Sequence, residues 1–198
     1  MTNATPTYCH ITNQHYTVNG KIVENTTAVD AQEWLKTIYT NLSLDYPKFY
    51  KMDGLSKTGF IAVELLKTAI NLPSDSDDIA VVFVNKYASL EADLAHQELI
   101  EKGTPSPAIF VYTLPNIVLG EIAIRNKWYG EQQFFIKNEW PEELMHKYIL
   151  TIFELNKASQ IIIGSVEYFD TRMDAKLVVI TKEHYRNSDV LNEIKTIF

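Results

Sequence analysis

Residues 126–167 constrain the fold more than any other part of this sequence. We predict a buried strand at 132–137, a helix from about Trp140 to Asn156, and a second buried strand at 160–166 that ends at Gly164-Ser165. Two apolar stripes of period 3.6 indicate the helix, and they consist of Leu144, Met145, Tyr148, Ile149, Ile152 and Phe153. The order strand, helix, strand predicts a parallel crossover unit.

The other segments complete an α/β pattern. We predict strands at 7–14, 79–84 and 176–181, and a small hairpin that turns at Asn19-Gly20 between 14–18 and 21–24. Further helices are predicted to start at Asp30 and near Asp53, and to cover 89–102, 117–125 and 183–197. No helix separates the last two strands, so the final strand should be antiparallel, at one edge of an otherwise parallel sheet. We therefore expect one domain, residues 1–198, with a five-stranded mixed sheet and helices on both faces.

Composition excludes several classes of function. The net charge of −7 gives no electrostatic support for binding nucleic acid or anionic membranes. The single cysteine, Cys9, excludes an internal disulfide and metal sites with several thiolates, and it fits a reducing compartment. No apolar run reaches membrane-spanning length, and the N-terminus lacks a basic region followed by an apolar one. We expect a cytoplasmic protein without a cofactor, since His10 and His15 near Cys9 match no metal template and no glycine-rich phosphate loop is present.

Several short motifs follow one another in a specific order. Ser106-Pro107 and Leu114-Pro115-Asn116 precede a helix, Gly130 precedes the strand at 132–137, and the strand at 160–166 runs into Gly164-Ser165-Val166-Glu167. Earlier in the chain, Met52-Asp53 precedes another helix. This series resembles the N-terminal half of the β-ketoacyl-acyl carrier protein synthases, which have the thiolase fold. The resemblance covers most of the chain, roughly residues 49–181.

The sequence departs from that family at the catalytic positions. Counted back from Glu167 without a gap, the position of the family's nucleophilic cysteine falls on Glu139, and a carboxylate cannot form the thioester that condensation needs. The second half of the family fold, which supplies two catalytic histidines, would start beyond Thr181, and His146 and His184 match neither position. The resemblance therefore implies half of a ketosynthase without its nucleophile, similar to the chain length factors that pair with an active synthase.

This resemblance implies a non-catalytic accessory subunit in fatty-acid, polyketide or polyene-type biosynthesis. Such a subunit would form a homodimer, or a heterodimer with an active ketosynthase, and would contact an acyl carrier protein. Half of the fold would also expose an apolar face that the other half normally covers, and large exposed apolar patches are rare on monomers. We therefore expect another protein to bury that face.

The resemblance also implies where a partner would bind. In thiolase-like proteins the strand that corresponds to 132–137 pairs across a two-fold axis, although an ordinary internal strand would show the same sequence pattern. The predicted interface residues on this strand are Glu131, Gln132, Gln133, Phe134 and Phe135. Trp128, Tyr129 and Trp140 would flank the interface, and their burial in the core of the chain itself is the alternative.

Glu139 also has two interpretations. It is an acidic residue just before a helix, where the helix dipole favours negative charge. It could instead serve a residual acyl-thioester enzyme, as a general base or as a carboxylate that mimics the thiolate during malonyl decarboxylation. A third hypothesis is a small-molecule-binding α/β domain that has kept the scaffold and lost the chemistry.

Overall fold

All strands that the computed structural model describes belong to one sheet. The structure describes residues 6–24, 30–187, 194 and 196–198. The strands are β1 (Thr7–Thr12), β2 (His15–Val18), β3 (Lys21–Glu24), β4 (Ile79–Asn85), β5 (Gln132–Ile136), β6 (Gln160–Phe169) and β7 (Arg172–Thr181). The helices are α1 (Ala31–Asn41), α2 (Gly54–Lys67), α3 (Leu90–Glu101), α4 (Pro107–Val111), α5 (Ile117–Asn126), α6 (Glu142–Glu154) and α7 (Lys182–Asn187), with a 3₁₀ helix at Pro47–Lys51.

The sheet has seven strands in the order β3-β2-β1-β7-β6-β4-β5, so the prediction of five strands was wrong. The β2–β3 hairpin adds the two extra strands, because β2 pairs with the free side of β1. Its turn was predicted correctly, and both Asn19 (φ 49°) and Gly20 (φ 76°) have the left-handed conformation that a tight hairpin turn requires.

The position of the final strand was also predicted wrongly. β7 is antiparallel to β6, as expected, but it lies in the middle of the sheet because β1 pairs with its other side. β5 and β6 are both parallel to β4, which lies between them, so the strand–helix–strand unit is confirmed as a parallel crossover. The closing helix was predicted at 183–197. The structure describes helix in this range as α7 and again at residues 194 and 196–197, and the other predicted positions lie outside the described residues.

Gly164-Ser165 does not end β6. The strand continues to Phe169 and pairs with β7 over its full length, down to Phe169 opposite Arg172. The turn is formed by Asp170 and Thr171, both with positive φ, in place of the predicted turn at 170–174. Glycine is needed at 164 for close approach, since a Cβ atom there would lie 1.9 Å from the carbonyl oxygen of Lys176.

Helices cover both faces of the sheet, as predicted. On one face, α1, α2 and α5 form the larger core with β1, β4, β6 and β7, and nearly every residue of α2 is buried. On the other face, α6 contributes a smaller core. The apolar stripe of α6 was predicted correctly, and its buried members are Met145, Ile149, Ile152 and Phe153. In the described part of the chain, no helix is long and apolar enough to cross a membrane.

Candidate functional site

β5 lies at one edge of the sheet, and one side of its backbone pairs with no strand among the described residues. The N–H of Val81 donates to the carbonyl oxygen of Glu131 (2.9 Å), and the N–H of Lys137 donates to that of Asn85 (2.8 Å). In a parallel pair, the backbone groups of every second residue face the same neighbour. The odd-numbered residues of β5 therefore face β4, whereas Gln132, Phe134 and Ile136 direct their N–H and C=O groups outward.

The chain reaches this edge through a tight approach at Gly130. A Cβ atom at Gly130 would lie 2.3 Å from the carbonyl oxygen of Ile79, so only glycine lets the chain turn against β4 at this point. Tyr129, just before it, is 69% exposed, and Ile136 at the end of β5 is 54% exposed. The edge therefore offers both backbone groups without a strand partner and apolar side chains, which is the combination that strand addition uses.

The predicted interface residues differ in their environments. Gln132 is exposed, whereas Phe134 and Phe135 are half-buried and pack against the larger and the smaller core, respectively. The side-chain amide of Gln133 donates from Nε2 to the backbone carbonyl oxygen of Phe134 at 3.2 Å. Glu131 forms an ion pair with Lys157 at 3.6 Å, and both side chains are about half exposed.

The flanking tryptophans are held by their own chain. Trp128 is buried, and its indole N–H donates to the carbonyl oxygen of Pro73 at 2.6 Å, so its side chain occupies the core, which was the alternative at the sequence level. Trp140 is half-buried and stacks on Phe198, with ring centroids 3.9 Å apart. Of the three flanking aromatic residues, Tyr129 is the one that solvent reaches most freely.

Glu139 lies in the bend between β5 and α6. Its side chain is exposed and makes no hydrogen bond or ion pair with any residue that the structure describes. α6 starts three residues later, at Glu142, and Pro141 is its N-cap residue; the prediction placed Pro141 inside the helix. The nearest histidine along α6, His146, contacts Tyr185 at 2.9 Å. Glu139 therefore has the environment of a solvated acidic residue beside a helix terminus.

The only cysteine of the chain has no nucleophilic character. Cys9 lies in β1, is fully buried, and donates a hydrogen bond from its thiol to the carbonyl oxygen of Ala62 at 3.3 Å. Burial raises the pKa of the Cys9 thiol to about 12. Thiolates rather than thiols are the nucleophiles of acyl transfer, so Cys9 cannot replace a catalytic cysteine. The described residues also contain no group of three or more His, Cys, Asp and Glu residues that could hold a metal ion.

A second exposed apolar surface was not predicted from the sequence. It lies on α3, α4 and the loop after α4, and it consists of Leu94, Phe110, Val111 and Leu114, each about half exposed. α3 buries only Ala92, so most of its apolar side chains do not contribute to the core. The absence of an apolar stripe on this helix was the signal that could have revealed it.

Comparison with known proteins shows similarity in structure but not in sequence. No protein-family profile and no curated protein matches this chain. The ishigamide ketosynthase/chain length factor superposes with a TM-score of 0.65 and 12% identity over 94% of this chain and 64% of that chain. The ketosynthase ApeO in complex with its chain length factor ApeC, from Xenorhabdus doucetiae, superposes with a TM-score of 0.60 and 13% identity. This match covers 90% of the present chain and 79% of that chain.

A third match is AntDE:AntF, a type II PKS acyl-carrier protein in complex with its ketosynthase bound to the hexaketide. It gives a TM-score of 0.61 and 12% identity over 93% of this chain and 65% of that chain. The present chain thus spans just under two thirds of the first and third of these chains. Scores of this size over nearly the whole chain establish the architecture, and the chain has the thiolase-like fold of the ketosynthase and chain length factor structures.

Proposed function

We propose that this protein is a non-catalytic, ketosynthase-like accessory subunit that acts by binding another protein. The observation that carries the proposal is the similarity of fold to ketosynthase and chain length factor structures in a chain whose only cysteine is the buried Cys9. An acyl-transferring subunit of this fold needs a reactive thiolate. The partner would be an active ketosynthase or a second copy of the chain, and an acyl carrier protein would dock on the complex.

The outer edge of β5 is the proposed contact between the subunits. Its even-numbered residues direct backbone donors and acceptors outward without a strand partner, and of these the carbonyl oxygen of Phe134 accepts from the side chain of Gln133. The exposed Tyr129 and Ile136 lie at the two ends of the edge. The apolar surface of α3 and α4 is a second proposed contact, because exposed apolar groups of this kind are commonly covered by a partner. We place the complex in polyketide or fatty-acid-type biosynthesis in the cytoplasm, where a free thiol such as Cys9 persists.

A residual enzymatic function at Glu139 has less support. A general base must be held near the group that it deprotonates, and Glu139 is exposed without an orienting partner. An unchanged turnover of malonyl thioesters in the Glu139→Gln variant would exclude that role. The small-molecule-binding hypothesis needs a cavity that holds a specific ligand.

The test compares two substitutions at one position. Ile136→Ala truncates the isoleucine side chain but keeps the outward backbone N–H. Ile136→Pro replaces the isoleucine side chain and also removes the backbone N–H. The wild-type chain is co-expressed with the ketosynthases of its native organism, and complexes are measured by affinity co-purification and light scattering. We expect Ile136→Pro to weaken the complex by roughly tenfold or more, because the hydrogen bond across the edge is lost, and Ile136→Ala to weaken it less. A wild-type chain that stays monomeric and binds neither a synthase nor a carrier protein would contradict the proposal.

A further inference from the structure

Lys57 is a buried cation without a carboxylate partner. The residue lies in the second turn of α2, is only 8% exposed, and has no carboxylate oxygen within 4 Å of its Nζ among the residues that the structure describes. Other charged groups of the core are neutralised. Lys67 is 2.9 Å from Glu64, and Lys48 is 3.0 Å from the buried Glu121. Because a buried charge without an opposite charge beside it is destabilising, an anionic ligand that paired with Lys57 would gain a favourable interaction.

The contacts that Lys57 does make are neutral. Its Nζ donates to Oε1 of Gln32 at 2.7 Å, and Nε2 of Gln32 donates in turn to the hydroxyl of Tyr168 at 2.8 Å. Its Nζ also lies 5.9 Å from the ring centroid of Phe49. An ammonium group carries three donors, and the described protein partners use one of them. Gln32 therefore holds the ammonium in place without neutralising it.

Lys57 lines a cavity of about 320 Å³ between α1, α2, α3 and α4. This volume is at the lower end of the range of about 300–1,000 Å³ that small-molecule sites occupy. Short or apolar side chains form much of the wall, namely Met52, Ala92, Ala95, Ala108 and Ile109. The cavity thus combines room for a short apolar group with one oriented ammonium.

Two carboxyl groups also line the cavity, and they limit the charge of any ligand. Asp53 caps α2 and accepts from the N–H of Ser56 at 2.9 Å. Glu91 is half-buried, and burial raises its pKa. The exposed Lys51 also lines the cavity, and Lys36 and Asp53 are the charged groups whose fields act on Lys57. Lys57 attracts each negative charge of a ligand and the carboxyl groups repel it, so a ligand with one negative charge is favoured over a dianion.

We propose that this cavity binds a small monocarboxylate, with Lys57 donating to the carboxylate and the alanine-lined wall enclosing a short apolar chain. Burial lowers the pKa of Lys57, and a bound carboxylate would restore the preference for the charged amine. The site lies between helices on the larger-core face and is separate from the edge of β5. Binding here does not require the proposed association with a ketosynthase, although α3 and α4 contribute both to the cavity and to that proposed contact.

Calorimetric titration with hexanoate and its neutral analogue hexanamide tests the proposal on the intact chain. We expect saturable binding of hexanoate at millimolar concentration or below, and binding of hexanamide that is weaker by roughly tenfold or more. Lys57→Met should abolish the preference for the carboxylate, whereas Lys86→Met, a change at an exposed lysine away from the cavity, should leave it unchanged. Equal binding of the two probes, no binding of hexanoate, or an unchanged preference in Lys57→Met would overturn the proposal.

A second measurement uses only the wild-type protein and so does not depend on the folding of Lys57→Met. Lysines are acetylated with acetic anhydride, and the modified peptides are quantified by mass spectrometry. Hexanoate should slow the acetylation of Lys57 selectively, and hexanamide should not. Equal labelling of Lys57 with and without hexanoate would refute the site.

Discussion

The substitution Gly54→Ala should destabilise the protein through a single contact. Gly54 is the first residue of α2, and a Cβ atom there would lie 2.1, 2.3 and 2.5 Å from three ring carbons of Tyr168. Carbon atoms pack at about 3.5–4.0 Å, so the ring would have to move by more than an ångström. Tyr168 is buried, and its hydroxyl accepts the hydrogen bond from Gln32. The new methyl group therefore both overfills the core and breaks that hydrogen bond.

The expected magnitude follows from these two effects. Overpacking costs about 1–3 kcal/mol, and the lost hydrogen bond costs about 1 kcal/mol. The better helix propensity of alanine offsets up to about 1 kcal/mol of this cost, so the free energy of unfolding should fall by about 1–4 kcal/mol. Gly120→Ala in α5 is the matched control, because no heavy atom lies within 4 Å of its added Cβ atom. It should raise stability by about 0.5–1 kcal/mol.

Urea unfolding followed by circular dichroism measures both variants, and a double-mutant cycle with Tyr168→Ala isolates the contact. With the ring removed, Gly54→Ala should cost much less than in the wild-type background. A Gly54→Ala variant as stable as Gly120→Ala would refute the reasoning. If Gly54→Ala lowered the free energy of unfolding by the same amount in the Tyr168→Ala background, the contact with the Tyr168 ring would not be the cause.

Two further predictions concern buried titratable groups. Because the pKa of Cys9 is raised to about 12 and its side chain is inaccessible, we expect no reaction of the native protein with a disulfide reagent at pH 8, and one thiol to react in urea. Rapid reaction in the native state would contradict its burial. Burial also raises the pKa of Glu167, so the folded state binds its proton more tightly than the unfolded chain does. The contribution of Glu167 to stability should therefore be lost as pH rises above the ordinary glutamate pKa of 4.5 and through its raised folded-state pKa. Glu167→Gln should gain stability relative to the wild type over the same rise in pH, and urea unfolding that shows the opposite trend would refute this.

Local sequence patterns predicted the individual elements well. The stripes of α6 and the Asn19-Gly20 turn depend on contacts a few residues apart, so the chain itself specifies them. Gly164 was misleading because glycine commonly ends strands, whereas here it permits close approach to β7 in the middle of a longer strand. No local signal distinguishes these two uses of glycine.

The candidate sites were predictable only in part. The resemblance pointed to β5, and the structure places this strand at the edge of the sheet, although the contact with a partner remains a proposal. Trp128 was predicted to flank the interface, but its indole N–H forms a hydrogen bond with the carbonyl oxygen of Pro73, more than fifty positions earlier in the chain. The Lys57 cavity could not be predicted, because four helices that are distant in sequence contribute its wall.

The sequence by itself determined that this chain is α/β, contains a strand–helix–strand crossover, and has a single cysteine. Only the tertiary structure decided that β7 is central, that β5 is at the edge, and that Lys57 faces a cavity. The physical reason is the range of the interactions. Periodicity and turn preferences act over a few residues, whereas the order of strands and the pairing of buried charges depend on which distant segments are buried together.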